Sequence, residues 1–220
     1  MNYFAHGVRF TDRPYFLAGT AVPDWLSVVD RKVRLTTRRV TPFADQSKTV
    51  QAELAAGVLQ HLADDQWFHG TPAFYETSGL LARMFREHLG ADEGYRPGFL
   101  GHVVTEMILD GVLIEYDPRR LDAYYEAISR LDAEQIENAV NRMARHTTGQ
   151  LSALIPRFLR EEFLRDYLDS ERLLFRLNQL LRRIRLRQLP DDAVQLLRKG
   201  RTIVASSARE LLPEECFKSN

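Results

Sequence analysis

Cysteine is nearly absent from this chain of 220 residues, in which Cys216 is the only one. A single cysteine excludes an internal disulfide framework and is typical of proteins from a reducing compartment. An excess of charge of either sign is also missing, because 30 basic residues balance 30 acidic ones. Without net charge the chain has no overall field to attract nucleic acid or an anionic membrane. We therefore expect neither a disulfide-stabilised protein nor a nucleic-acid-binding one.

Long hydrophobic runs are lacking as well. The most apolar stretch, FLGHVVTEMILDGVLI, is interrupted by His102, Glu106 and Asp110. Ionisable residues at this spacing make a poor membrane span, so no stable membrane insertion is expected. The first residues show no charged-then-apolar signal pattern. The sequence predicts a soluble cytoplasmic protein.

Several catalytic motifs are absent. The chain has no Gly-x-Ser-x-Gly elbow, no phosphate-binding P-loop and no dinucleotide-binding glycine pattern. These absences argue against a serine hydrolase, a nucleoside triphosphatase and a nicotinamide-dependent enzyme. Cys216 lies near the C-terminal end, a poor place for a nucleophile. Other catalytic classes are therefore poorly supported by the sequence.

Strand-like alternation is scarce, and apolar residues recur with the 3.6-residue period of helices from about residue 47 onward. Proline at a first helical position, as at Pro72 and Pro118, marks helix starts, whereas Gly90 and Gly200 are predicted as stops or turns. Residues 1–46 are less regular, with three prolines around two short apolar pieces. The predicted helices are 48–67, 73–89, 97–116, 118–130, 133–146, 148–168, 171–188 and 191–211. We expect one all-α helical bundle, a single domain over residues 1–220.

Two polar stripes carry the chemistry. In the segment HLADDQWFHG, His61, Asp65 and His69 are spaced four residues apart, so they follow one helix face with a drift of about 40° per step. A second stripe has the same spacing and consists of His102, Glu106 and Asp110. Asp64 points about 100° away from its neighbour and is predicted to be a bystander.

The second stripe lies in a segment that is apolar almost all round, which is typical of a buried helix. Burying carboxylates without partners costs several kcal/mol each, so they must be paired or coordinate a cation. Facing His, Asp and Glu side chains supply the nitrogen and oxygen ligands that Zn, Mn or Fe accept. The alternative is that the histidines are ordinary core residues and that arginines pair with the acids.

Two further candidates lie near the N-terminus. His6 follows an apolar run in MNYFAHG, and Asp24 ends one in FLAGTAVPDW. Asp24 could instead cap a helix or form a turn after Pro23, and His6 could be a packed ring.

These motifs together resemble the acyl-carrier-protein phosphodiesterase family. The similarity rests on MNYFAH, LAGTAVPDW, AAGVLQHLADDQWFH and VVTEMILDGVL, and continues weakly through FLREEFLRDYLDSERLLFRLNQLLRRI. The residues that match the family pattern in type and order are His6, Gly19, Asp24, His61, Asp65 and Asp110. The resemblance implies an all-α, HD-domain-like fold and metal-dependent hydrolysis of phosphoric esters. It also implies a phosphopantetheinylated carrier protein as a candidate substrate.

The chain departs from that family at several positions. His69 stands where the family has an acid, and Glu106 stands where it has Asp. Leu62 and Ala63 replace basic residues, and Gly111 replaces a histidine for which His102, one turn earlier, could compensate. The Asp-aromatic pair in PDW is also similar to zinc-dependent phospholipase C proteins. The general chemistry is therefore expected to transfer better than the substrate.

The sequence predicts a site with one or two divalent ions. A mixed nitrogen and oxygen set favours Mn, Zn or Fe over Mg or a thiolate-bound structural zinc. The predicted metal ligands are Asp24, His61, Asp65, His102 and Glu106. His6 and His69 are predicted as ligands or general acids, and Asp110 as a catalytic or orienting residue. The cations predicted to bind phosphate are Lys32, Arg34, Arg182 and Arg183.

Two other functions compete with this hypothesis. The altered motif positions favour a non-catalytic helical protein whose metal site has decayed. The PDW motif favours a zinc-dependent phospholipase C-like lipid hydrolase. Metal content distinguishes the first alternative, and activity on lipid head-group esters distinguishes the second.

Overall fold

Helices make up most of the computed structural model, which describes residues 1–45, 49–90 and 94–218 and contains no strand within those ranges. The all-α class predicted from the sequence is therefore confirmed. The α-helices are α1 (Tyr3–Gly7), α2 (Pro14–Val29), α3 (Thr37–Val40), α4 (Val50–Phe68), α5 (Pro72–Leu89), α6 (Pro97–Tyr116), α7 (Pro118–Ser129), α8 (Ala133–Met143), α9 (Leu151–Glu161), α10 (Ser170–Arg183) and α11 (Val194–Leu211). Short 3-10 helices occupy Thr41–Phe43, Phe163–Leu168, Asp191–Ala193 and Glu214–Phe217.

The predicted helix boundaries hold well where local signals are strong. The Thr71 side chain accepts a hydrogen bond from the backbone N–H of Phe74 and caps α5, whose first residue is Pro72. Gly90 ends the same helix with φ at 71°, a conformation that suits glycine. Residue 48, the predicted start of α4, lies outside the described residues.

Four local predictions were wrong. The predicted helix 171–188 ends early, since α10 stops at Arg183 and Arg185 has φ at 60°, outside the helical region. Residues 14–29 form one helix that continues through Pro23, because its apolar residues bury along the whole segment and offset the missing backbone donor. The predicted helix 148–168 breaks at Glu162, which has φ at 39°, into α9 and a 3-10 helix. Gly200 is neither a stop nor a turn but a buried residue inside α11.

The chain groups into two compact units, each built from two sequence segments, where the sequence analysis predicts one domain. The first unit comprises Met1–Trp67 and Pro118–Glu162. Its core contains Phe158, whose ring packs against Trp25, Tyr3 and Tyr125 at centroid distances of 5.5, 5.5 and 5.6 Å. Burial of such rings stabilises this unit.

The second unit comprises Phe68–Asp117 and Phe163–Asn220. Its central helix α6 packs on α5 and α11. A Cβ on Gly200 would lie 3.1 Å from Leu81 and 3.2 Å from Ile108, so this glycine allows close packing of α11. Among the described helices, α6 is the one long and apolar enough to cross a membrane, and 67% of its most apolar window is buried, as in core helices of soluble proteins.

Candidate metal centre

Two glycines bring α2 and α4 into backbone contact in the first unit. A Cβ on Gly19 would lie 2.3 Å from the carbonyl oxygen of Leu54, and one on Gly57 would lie 2.0 Å from that of Phe16. Such distances are far below van der Waals contact, so the helices approach this closely only because both residues lack a side chain. His61 lies one turn beyond Gly57 and therefore faces α2.

The orientation of His61 is set by the backbone of α2. Its Nδ1 nitrogen donates a hydrogen bond of 2.8 Å to the carbonyl oxygen of Thr20, since a carbonyl can only accept. The Nε2 nitrogen then points to Asp65, 3.5 Å from Oδ2. A neutral ring in this tautomer presents a lone pair to a carboxylate, which requires a cation between them or a second proton on the ring. Although burial opposes protonation, Asp65 and Asp24 raise the pKa of His61.

His6 joins this pair from α1. Its ring is buried and stacks on His61 with the centroids 3.9 Å apart, and its Nε2 lies 3.2 Å from Asp65 Oδ1. His6, His61 and Asp65 thus offer three ligand atoms within 4.8 Å of one another, and these buried His and Asp groups could hold a metal ion. We call these three residues the buried triad.

Asp24 contributes a buried, unpaired oxygen beside the buried triad. The residue as a whole is partly exposed, but its Oδ2 is buried and has no hydrogen-bond partner. Burial raises the pKa of Asp24, against the attraction of His61 and His6. Both ring nitrogens of His6 are also buried, and they face carboxylate oxygens of Asp65 and Asp64 at 3.2 and 3.7 Å without good hydrogen-bond geometry. Unpaired polar atoms in one place are characteristic of a site for an ion or water.

Positive groups also contact these acids. The amino nitrogen of Met1 lies 2.7 Å from Asp65 Oδ1, and Arg9 pairs with Asp64 at 2.9 Å. Asp64, predicted to be a bystander, is not a member of the buried triad, and its Oδ2 lies 3.7 Å from His6 Nδ1. Burial opposes ionisation of Asp65, but its contacts with His6 and His61 and the amino group of Met1 hold its pKa below the ordinary range.

A second group of candidate ligands lies in the second unit. His69 Nε2 is 2.8 Å and His102 Nε2 is 3.1 Å from the same oxygen, Glu106 Oε1. These three residues also offer ligand atoms within 4.8 Å of one another. We call them the half-exposed triad.

The predicted metal ligands therefore fall into two groups. Asp24, His61 and Asp65 lie in the first unit with His6, whereas His102 and Glu106 lie in the second with His69. Asp110 is fully buried on α6 but belongs to neither triad.

Two of the predicted phosphate-binding cations, Arg34 and Arg182, form hydrogen bonds away from both triads. Lys32, Arg34, Arg182 and Arg183 are exposed. The Arg34 side chain donates to the carbonyl oxygen of Arg31, and Arg182 donates to the side chain of Gln188.

Three residues that shape these groups were not predicted from the sequence. Thr20 acts through its backbone carbonyl, which no side-chain motif signals. The only signal of Arg9 in the sequence is its charge, and the only signal of Phe74 is its aromatic ring. The centroid of the Phe74 ring lies 5.0 Å from the ring centroids of both His69 and His102.

Comparison with family models, with curated proteins and with solved structures finds no match to this chain. The resemblance to the acyl-carrier-protein phosphodiesterase family therefore stays a prediction from the motifs.

Proposed function

We propose that the protein is a metal-dependent hydrolase of phosphoric esters whose centre is the buried triad together with Asp24. The observation that carries the proposal is the direction of the His61 ring. Its Nδ1 nitrogen donates a hydrogen bond to the carbonyl oxygen of Thr20, and its Nε2 nitrogen faces the carboxylate of Asp65. Proteins orient ligand histidines in this arrangement.

The donor set fits a divalent transition metal. Two imidazoles and two carboxylates provide nitrogen and oxygen atoms without thiolates, which suits Mn, Zn or Fe. The unpaired Asp24 Oδ2 gains a partner when a cation is bound. It would otherwise carry the cost of a buried polar group without a partner.

When bound, such an ion lowers the pKa of water to about 7 and offsets the charge that develops on the phosphoryl group. The protein residues hold and orient the reacting groups. His61 and His6 position the two oxygens of Asp65, and Thr20 prevents rotation of the His61 ring. Asp24 would hold the ion together with the buried triad through its buried, unpaired Oδ2.

Metal content and hydrolysis test this proposal together. Purified protein should carry Mn, Zn or Fe and should hydrolyse bis(4-nitrophenyl) phosphate when one of these ions is supplied. Asp65→Asn and His61→Gln keep a side chain of similar size and should lose both turnover and the metal equivalent assigned to the buried triad. Glu53→Gln, on the same helix in the exposed pair with Arg13, is the matched control and should retain both.

A second candidate function, a non-catalytic helical protein, is favoured by the ion pairs of the acids with Arg9 and the Met1 amino group. It predicts less than about 0.1 ion per chain and no rise in melting temperature on adding metal, because a ligand stabilises only the fold that binds it. That result would refute the hydrolase proposal.

A further inference from the structure

We propose that the half-exposed triad is a metal site in its own right, which binds one divalent transition-metal ion through His69, His102 and Glu106. All three ligands come from the second unit, so the site is complete without any residue of the buried triad. The inference goes beyond the proposed function and does not depend on it.

The positions of the donor atoms fit a small cation. The two Nε2 atoms lie 2.8 and 3.1 Å from one carboxylate oxygen, and all three ligand atoms fall within 4.8 Å of one another. Tetrahedral bonds of about 2.0–2.2 Å place neighbouring ligands roughly 3.3 Å apart. Small side-chain adjustments therefore convert these contacts into coordination bonds.

The backbone holds each ligand in place. His102 and Glu106 are one turn apart on α6 and so share a face. His69 lies in a tight turn between α4 and α5, in which the Thr71 hydroxyl donates to the carbonyl oxygen of Phe68 over 2.8 Å. Metal sites bind tightly when their ligands are positioned in advance in this way.

Aromatic packing fixes the two imidazoles relative to each other. The rings of His69 and His102 are 4.7 Å apart, and Phe74 contacts both in edge-on geometry. Phe74 is itself buried against Phe68, with the ring centroids 4.6 Å apart. The Nε2 edges are left to face Glu106.

Exposure distinguishes this triad from a closed structural site. The Glu106 side chain is 13% exposed, but those of His69 and His102 are 33% and 43% exposed. Three protein ligands with access to solvent leave coordination positions for water or another ligand, as in catalytic zinc sites and in two-histidine, one-carboxylate iron sites. The ion class expected here is therefore Zn²⁺, Fe²⁺ or Co²⁺ with exchangeable ligands.

Metal titration of the full chain tests the site. After removal of metal by a chelator, Zn²⁺ binding is measured by calorimetry and Co²⁺ binding by visible absorption. His102→Ala and His69→Ala should each abolish one equivalent or weaken its affinity by at least about 100-fold, the upper range for losing a group that only supports a ligand. His88→Ala removes a partly exposed histidine paired with Asp192 in the same unit and should change neither measurement.

The same titration separates this proposal from the proposed function. His61→Gln should leave the equivalent assigned to the half-exposed triad intact, with its Co²⁺ spectrum, even if the buried triad binds nothing. Unchanged stoichiometry and affinity in His102→Ala and His69→Ala would show a histidine–glutamate ion pair only and overturn the proposal. Loss of all binding in both His61→Gln and His102→Ala would also overturn it, since one shared ion would then use both sets of ligands.

Discussion

The Nδ1 nitrogen of His61 and the carbonyl oxygen of Thr20 are joined by a hydrogen bond of 2.8 Å that connects α4 to α2. The bond determines which ring nitrogen carries hydrogen and directs the other nitrogen to Asp65. Backbone contact at Gly19 and Gly57 is what brings the two helices close enough for it. Helix packing and the chemistry of the buried triad are therefore linked.

Gly57→Ala should destabilise the first unit. A Cβ would lie 2.0 Å from the carbonyl oxygen of Phe16, so the helices must separate, at a cost of about 1–3 kcal/mol or more. Urea unfolding measures the change. Gly79→Ala, where a Cβ meets nothing within 4 Å inside α5, should instead stabilise the protein by about 0.5–1 kcal/mol. Equal midpoints for the two variants would contradict the close helix approach.

Gly101→Ala should weaken metal binding at the half-exposed triad. The new Cβ would lie 2.3 Å from the carbonyl oxygen of Ser78 and 2.7 Å from the nitrogen of Ala82, which forces α6 away from α5 beside His102. We expect a lower melting temperature and weaker Co²⁺ affinity. Gly98→Ala, three residues earlier on α6 with nothing within 4 Å, is the control. If both variants bind Co²⁺ equally well, helix spacing does not position the ligands.

Glu106 should make stability depend on pH in acid. Burial opposes its ionisation, but nearby positive charge and the contacts with His102 and His69 lower the pKa of Glu106 below its ordinary value of 4.5. Because the unfolded chain binds this proton more readily, the stabilisation is fully present above about pH 4.5 and is lost as the pH falls through the folded pKa. The urea midpoint of unfolding is measured in the presence of chelator at several pH values from 6 down to 3. It should fall less steeply with decreasing pH for Glu106→Gln than for the unmodified protein. Parallel profiles would refute the lowered pKa.

Phe158→Ala should be among the most destabilising changes in the first unit. The ring packs against Trp25, Tyr3 and Tyr125. Its removal leaves a cavity and should lower the free energy of unfolding by about 3–5 kcal/mol. Phe175→Ala removes a ring that is 55% exposed and should change stability by no more than about 0.5 kcal/mol. Thermal unfolding of the two variants provides the comparison.

The sequence predicted most helices well after residue 50, because their starts and ends depend on local signals. Proline at Pro72 and Pro118 and glycine at Gly90 act on their own turns whatever packs around them. Residues 14–29 were missed because Pro23 is locally unfavourable in a helix, and only burial against the rest of the unit offsets it. Gly200 was misread because a glycine that permits close packing looks the same in sequence as one that ends a helix.

The candidate ligands were predicted by type but not by grouping. Spacing of four residues correctly placed His61 with Asp65 and His102 with Glu106, since those pairs lie on single helices. The same rule assigned His69 to the stripe of His61, whereas the helix ends at Phe68 and His69 lies with His102. His6 and Asp24 were predicted from their positions at the ends of apolar runs and from the motif resemblance, and no spacing rule relates them to α4.

By itself, the sequence determined the helical class, the reach of most helices and the side chains able to bind a cation, because periodicity and spacing act within a few turns. Only the tertiary structure decided that His6 stacks on His61, that Thr20 orients that ring and that His69 shares an oxygen of Glu106 with His102. Those relationships join residues from different helices, and the contacts that create them depend on how closely backbones approach. Periodicity and spacing along the sequence do not give the distances between residues of different helices.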